Sequence, residues 1–276
     1  MTLVEAVVLG VVQGIAEFLP ISSTAHLRVV PALLGWEDPG AAFSAVIQLG
    51  TLLAVLVYFA GDMWAMARAA ARGLKSGRPW ESQEARLAWF IVIGTFPIGI
   101  CGLALKKHIE GGWRSLYVIA ASLILFGILL WVAERLATFQ KNLGQIGWVE
   151  SQLVGLAQAV ALIPGSSRSG TTMTAAMLLG LTREAAARFS FLLGIPAIGA
   201  AGVFELRELL KHGVSDAGLS TLIVGTLASV VSGYLAIDLL LRYLRRNTMY
   251  VFIWYRIAVG LLLLTLLGAG VLKPLG

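Results

Sequence analysis

Two short polar segments interrupt a chain that is otherwise apolar enough to sit in lipid: EFLPISSTAHL, from Glu17 to Leu27, and ALIPGSSRSGTT, from Ala161 to Thr172. Proline and paired serines are excluded from a lipid-facing helix, because a broken helix leaves backbone groups with no water to bond. Such breaks persist only where they are buried in protein or line a wet cavity. At an offset of 144 positions, Pro20 falls on Pro164, Ser22 on Ser166, Ser23 on Ser167, and Leu49-Gly50 on Leu193-Gly194. The chain reads as a diverged duplication. Two breaks in matching positions of two halves point to a binding site where the repeats meet.

Composition agrees with a membrane solvent. The 276 residues are 58% hydrophobic and 13% charged, against about 25% charged in an ordinary soluble domain, and the mean hydropathy is +0.85. A net charge of +6 would suggest nucleic acid in a soluble chain. Here the basic residues fall between apolar spans, where topology explains them, and nucleic acid is not an expected partner. The single cysteine, Cys101, rules out a disulfide framework. Met1 to Val12 is apolar but lacks a basic leader and carries Glu5, so no cleavable signal is read there.

Six stretches are long enough to cross, at about 20 residues per helix: about 41–66, 85–107, 114–135, 184–206, 217–242 and 250–273. Two further segments, about 1–34 and 149–180, are each a pair of short helices broken at a serine island. They read as re-entrant hairpins; one kinked crossing each is the alternative. The expected fold is an all-α integral membrane protein with one membrane domain over 1–276. It is an inverted-topology repeat, repeat 1 over about 1–135 and repeat 2 over about 149–276, with six transmembrane helices and two re-entrant helical hairpins. Arg68, Arg72, Lys75, Arg78, Arg86, Arg135, Lys141, Arg183, Arg188, Arg242, Arg245 and Arg246 mark the cytoplasmic ends. The opposite ends carry fewer: Lys106, Lys107, Arg114, Arg207, Lys211 and Lys273.

In the first island Gln13 and Glu17 are one helical turn apart and share a face. A carboxylate at membrane depth is costly and needs a cation. A hard divalent ion held by one carboxylate, water and substrate phosphate suits it; an ion pair with Arg168, or a protonated Glu17, is the structural alternative. Ser22 and Ser23 follow Pro20, where a new helix can start, and capping alone would account for them. His26 lies within one turn of both, so its ring can lean toward either hydroxyl, the minimal arrangement for an activated nucleophile.

The second island sets Gly165, Ser166, Ser167, Arg168, Ser169, Gly170, Thr171 and Thr172 at another helix start. Amides and hydroxyls there face an anion, reinforced by the helix dipole, and Arg168 adds a fork that matches phosphate oxygens. Gln158 repeats Gln13 if one residue of slip is allowed. Gln48 and Ser44 line the cavity or join helices. Asp238 and Arg242 form a helix pair, Arg256 snorkels or reaches inward, and Trp64, Trp113 and Trp254 fit an interfacial belt. His108 and His212 receive no role.

QGIAEFLPISSTAH is similar to the (E/Q)xxxE-FLP-SST-H signature, and PGSSRSGTT to the PGxSRSxxT signature, of undecaprenyl-pyrophosphate phosphatases of the BacA/UppP type. FSAVIQLGTLLAV and YRIAVGLLLL extend the resemblance over essentially the whole chain. It implies a bacterial inner-membrane enzyme that converts undecaprenyl pyrophosphate to the monophosphate and recycles the carrier of cell-wall synthesis; the distribution of basic ends puts the opening of its site on the periplasmic side. It also implies a divalent cation, Mg2+ or Ca2+, and ten helices from inverted repeats. Carried onto this chain, Ser23, His26, Glu17 and Arg168 are catalytic, with Glu17 the sole metal contact. The resemblance puts Gln13 in the acidic motif and Ser167, Ser169 and Thr172 in the phosphate motif; with Ser22, Gly165, Ser166 and Gly170 of the two islands they are the expected substrate-binding residues. Ala25 stands where the family has glycine, and Ser44 where it has an acid.

The expected partners are the bilayer and a polyprenyl pyrophosphate, with a homodimer left open. Ser23 attacks the terminal phosphorus, His26 positions it or moves its proton, and Arg168 and helix-start amides hold the phosphates. His26 as nucleophile, or attack by metal-bound water, stays open. The rival is a secondary transporter or flippase, since broken helices in inverted repeats are also a transport architecture.

Overall fold

The computed structural model describes residues 1–110, 113, 115–212 and 216–274. Arg114 and the side chains of Lys106, Lys107, His108 and His212 lie outside the described residues. Among the described residues the regular structure is helical: α1 (Leu3–Phe18), α2 (Ser23–Leu34), α3 (Gly40–Tyr58), α4 (Ala60–Lys75), α5 (Gln83–Glu110), α6 (Leu116–Leu136), α7 (Trp148–Val160), α8 (Arg168–Leu178), α9 (Arg183–His212), α10 (Asp216–Leu244) and α11 (Tyr250–Gly268). Side chains on the outward faces are apolar, with Leu103 83% and Leu239 65% exposed. A water-facing surface would not be built that way; a lipid-facing one is.

The four short helices flank the islands. α1 starts on a capping box between Thr2 and Glu5 and stops where Pro20 forces Leu19 into an extended conformation, ψ 142°. α2 is capped by Ser22 and α8 by Ser167, whose hydroxyls accept from the amides of Ala25 and Gly170. Both serines hold positive φ, 76° and 73°, a conformation a side chain normally resists. α1, α2, α7 and α8 have 16, 12, 13 and 11 residues. At about 1.5 Å per residue each falls short of the hydrocarbon core, about 30 Å thick.

The paired caps correct the alignment of the two halves by one residue. Ser22 matches Ser167, not Ser166, and the same register sets Gln13 on Gln158 and Gly35 on Gly180, both glycines at positive φ. The prolines keep the offset of 144 because Pro20 stands two residues before its cap and Pro164 three.

Five helices are long and apolar enough to cross a membrane: they contain the stretches Gln83–Leu105, Leu116–Leu136, Arg183–Phe204, Gly218–Leu244 and Tyr250–Gly268. A sixth span exists if Ala42–Tyr58 and Ala60–Lys75 count as one, but these are bent by 74°. The expected crossing over 41–66 therefore ends at Tyr58, and the basic stretch beyond it is mostly helix. From Ala60 the sequence turns amphipathic: Met66, Ala69 and Gly73 are buried while Arg68, Arg72 and Lys75 face outward. A count of apolar residues cannot see that change of face.

Helix packing exchanges the two halves. α1 lies on α10, where a methyl on Gly10 would sit 2.2 Å from the Gly225 carbonyl oxygen, and α7 lies on α5, where one on Gly155 would sit 2.5 Å from that of Gly94. Small residues allow this approach between membrane helices. α3 packs on α9 and α10, and α6 on α11.

Ion pairs gather the basic helix ends at one end of the bundle. Arg188 bonds Asp62 at 2.7 Å and Arg245 bonds Glu184 at 3.0 Å. Arg183 bonds Glu134, which also accepts from the Met249 amide. Lys141 bonds Glu150 at 2.6 Å and bridges the backbone of Leu181. Both free ends of the α7–α8 pair are thus at this basic end. The free ends of α1–α2 are at the other: Gly10 and Gly14 follow Gly225 and Ser232 along α10 in the same direction, and Ala25 and Val29 of α2 pack with Leu116, Leu263 and Leu267.

Candidate active site

The two serine loops meet in the middle of this bundle. The Ser169 hydroxyl, from α8, donates to the Leu19 carbonyl at 3.0 Å. Arg256 of α11, 0% exposed, reaches between the loops and donates to the carbonyls of Pro20 at 3.0 Å, Gly165 at 3.0 Å and Ser166 at 2.8 Å. All its hydrogen-bond acceptors among the described residues are backbone carbonyls. Gly170 leaves room for it, since a methyl there would lie 2.7 Å from Nη1. Of the two readings of Arg256, reaching inward is the observed one.

Glu17 lies at the junction. One carboxylate oxygen, Oε1, accepts from Arg168 Nε at 3.3 Å and Nη2 at 3.2 Å. The other, Oε2, accepts from Gln13 Nε2 at 3.1 Å and from the Ser23 hydroxyl at 2.7 Å. The side chains are 3% exposed for Glu17 and 11% for Arg168, so the pair is shielded from bulk water, where the charges matter most to each other. Arg168 Nη1 also donates to the Ser190 carbonyl at 2.9 Å, and Gly194 lies so close that a methyl there would be 2.2 Å from Nη1.

A cavity of about 140 Å³ opens beside the pair. Its polar lining is Glu17, Ser22, Ser23, Thr24, Gln48, Ser167 and Arg168; its apolar wall is Ala16, Ile98, Ala161, Ala197, Ile198 and Ala201. One small cavity thus joins both islands to α3, α5 and α9.

The expected site residues divide into those that face this cavity and those that hold them. Gln13 stands behind Glu17. His26 turns away from both serine hydroxyls: Nδ1 bonds the Ser22 carbonyl at 2.7 Å and Nε2 bonds the Tyr255 hydroxyl at 2.6 Å, the two rings stacked. A carbonyl only accepts, so Nδ1 carries a proton, and Nε2 shares its hydrogen bond with the Tyr255 hydroxyl. The expected lean of the imidazole toward a hydroxyl is therefore replaced by one toward a carbonyl, because Tyr255, 229 residues away, claims its far side.

In the second island Ser166 donates to the Ile163 carbonyl and Thr172 to that of Arg168, while Ser169 is taken by Leu19. These hydroxyls brace the loop. Gly165 and Gly170 admit neighbours: a methyl would lie 2.7 Å from the Ile119 carbonyl oxygen at the first and from Arg256 at the second. Gln158, the counterpart of Gln13, is fully buried, and neither of its amide atoms has a hydrogen-bond partner among the described residues. Ser44 donates to the Gly40 carbonyl and is not part of the cavity lining.

Sequence reasoning missed Tyr255 altogether and underrated Arg256; the only signal was a charge at membrane depth. Glu17 and the Ser23 hydroxyl put oxygen donors on the cavity wall, the kind a hard divalent cation prefers. Among the described residues no cluster of three or more histidine, cysteine or acidic side chains exists, so protein carboxylates alone would not enclose such an ion.

A family model described as "Bacitracin resistance protein BacA" matches residues 6–262. The chain is 56% identical, over 275 residues, to an undecaprenyl-diphosphatase of Myxococcus xanthus (strain DK1622), covering 100% of this chain and 92% of that relative. It is 52% identical, over 283 residues, to an undecaprenyl-diphosphatase of Chlorobium phaeobacteroides (strain BS1), covering 99% of this chain and 100% of that one. A third similar protein, from Chlorobaculum tepidum, is 48% identical over 282 residues and carries the same description.

Proposed function

Because the chain belongs to the bacitracin resistance protein BacA family, we propose that it hydrolyses undecaprenyl pyrophosphate to undecaprenyl phosphate and inorganic phosphate, renewing the lipid carrier of cell-wall synthesis. The observation that carries the chemistry is the Ser23 hydroxyl bonded at 2.7 Å to a carboxylate that is itself held by Arg168, all three on the wall of one cavity.

The terminal phosphate enters the cavity while the polyprenyl tail stays along the apolar helices. Arg168 supplies fixed positive charge for the phosphate oxygens, and the α8 start, with Ser167, adds backbone dipoles. Ser23 Oγ attacks the terminal phosphorus as the bond to the bridging oxygen breaks, and undecaprenyl phosphate leaves with that bonding pair. The Ser23 proton passes to Glu17, its hydrogen-bond partner. Glu17 then gives that proton up and takes one from the water that frees phosphate from the serine. His26 holds the Ser22 carbonyl, and with it the turn that aims Ser23, so its part is positioning. A divalent cation, Mg2+ or Ca2+, would be held by Glu17 with substrate phosphate oxygens and water, and would neutralise phosphate charge in the transition state.

The site is read as facing the periplasmic side of the bacterial inner membrane. Support comes from the basic residues collected at one end of the bundle and from the α1–α2 pair entering at the other. The opposed pairs support an inverted repeat with two re-entrant hairpins.

Purified protein in detergent should release phosphate from undecaprenyl pyrophosphate, and Ser23→Ala should reduce that release to background. Wild-type protein that moves the lipid without releasing phosphate would replace the hydrolase with the transporter. Full activity in Ser23→Ala would remove the nucleophile assignment and leave the hydrolase standing.

A further inference from the structure

Gln48 enters the cavity from a third direction and has no task in the mechanism above. It lies on α3, whose backbone is fixed on both sides of it: the Ser229 hydroxyl donates to the Ile47 carbonyl at 2.7 Å, and Gly50 is pressed so closely to α10 that a methyl there would lie 2.0 Å from Ser229 Oγ. On the opposite side Leu49 fills the notch at Gly202, where a methyl would meet it at 2.4 Å. The direction of the Gln48 side chain is thereby constrained before substrate arrives. The residue lines the same cavity as Glu17, Ser23 and Arg168. No hydrogen bond is made by its amide to any described residue, and it is only partly buried.

The charge balance of the cavity says what such an amide can do. Glu17 and Arg168 are the ionisable groups that face it, and they are already paired; α5 and α9 contribute Ile98, Ala197, Ile198 and Ala201, which are apolar. A diphosphate entering here brings several negative charges and many acceptor oxygens, but few donors await it beyond Arg168 and the serine loops. We infer that the Gln48 amide donates a hydrogen bond to a phosphate oxygen of the bound substrate, making it a substrate-binding residue supplied by α3. A neutral donor suits this place: it adds no further charge to a buried site and leaves the Glu17–Arg168 pair undisturbed. The inference rests on the hydrolase reading.

Gln48→Leu and Gln48→Glu, compared with wild type for kcat and KM of phosphate release across pH, test it. Gln48→Leu should raise KM about tenfold or more, with a matching rise in the inhibition constant for inorganic pyrophosphate, as expected for a lost bond to a charged ligand. Gln48→Glu, nearly the same shape, should lose about 10²-fold in kcat/KM above neutral pH and recover as pH falls and the carboxyl gains a proton, because only its charged form repels phosphate. Wild-type constants in both variants overturn the inference, and so does a loss in Gln48→Glu that is the same at every pH, since that would be a packing effect. Absence of phosphate release by wild type would instead overturn the hydrolase reading itself.

Discussion

Arg168 donates through two nitrogens, at 3.3 and 3.2 Å, to a single oxygen of Glu17, a residue 151 positions earlier in the chain. The arrangement leaves the other oxygen for Gln13 and Ser23. One carboxylate therefore binds the two halves of the molecule together and at the same time faces the hydroxyl that would react.

Glu17→Gln should keep the shape of this junction and lose its proton acceptor. Hydrolysis is expected to fall by on the order of 10²–10⁴-fold, the usual worth of a positioned general base, while the protein still melts cooperatively in detergent. Activity within tenfold of wild type would show that another group accepts the Ser23 proton.

Arg168→Ala should be destabilising as well as inactive, because it strands a buried carboxylate; breaking such a pair from one side costs about 3–5 kcal/mol. Gly194→Ala separates geometry from charge. Its methyl would crowd the guanidinium, which is tied to both Ser190 and Glu17, and displacing it by about 1 Å should cost about 10²-fold in kcat/KM. In an Arg168→Ala background the Gly194→Ala change should cost nothing more, since contacting residues are not additive. Independent, multiplying losses would break the link.

Arg256→Met should lower the melting temperature and abolish activity together. It leaves the carbonyls of Pro20, Gly165 and Ser166 without this donor, each at a cost of about 1–3 kcal/mol if no water replaces it. Arg256→Lys should restore part of the stability, because an ammonium can reach some of the carbonyls but not the whole fork. A melting curve unchanged in Arg256→Met would rule out its role as the staple between the loops.

Removal of divalent cations by a chelator should stop phosphate release, and added Mg2+ or Ca2+ should restore it. Glu17→Gln should shift the cation concentration needed for its residual activity upward, as expected when the one carboxylate ligand is lost. Activity that survives thorough chelation would eliminate the cation from the proposal.

The residues legible from sequence were those whose burial is expensive. Glu17 and Arg168 at membrane depth each demanded a partner, and they meet; Pro20 with Ser22, and Pro164 with Ser167, had to be breaks, and they are. Residues whose role depends on a distant neighbour were illegible. Nothing near His26 announced Tyr255, so the short spacing to Ser22 and Ser23 suggested a hydroxyl contact that the ring does not make. The bend at Phe59 was hidden for another reason: the stretch through Met66 stays apolar in composition after it has ceased to be apolar on every face.

By itself the sequence determined the solvent, the helical class and the two places where helices must stop, because each follows from the cost of leaving polar groups unpaired in lipid. The tertiary structure alone decided which oxygen of Glu17 each donor takes, that Arg256 joins the two loops and that Gln48 completes the cavity. Those outcomes depend on helices close-packed from both halves of the chain, where a shift of about 1 Å changes which groups touch, and local sequence carries no record of such distances.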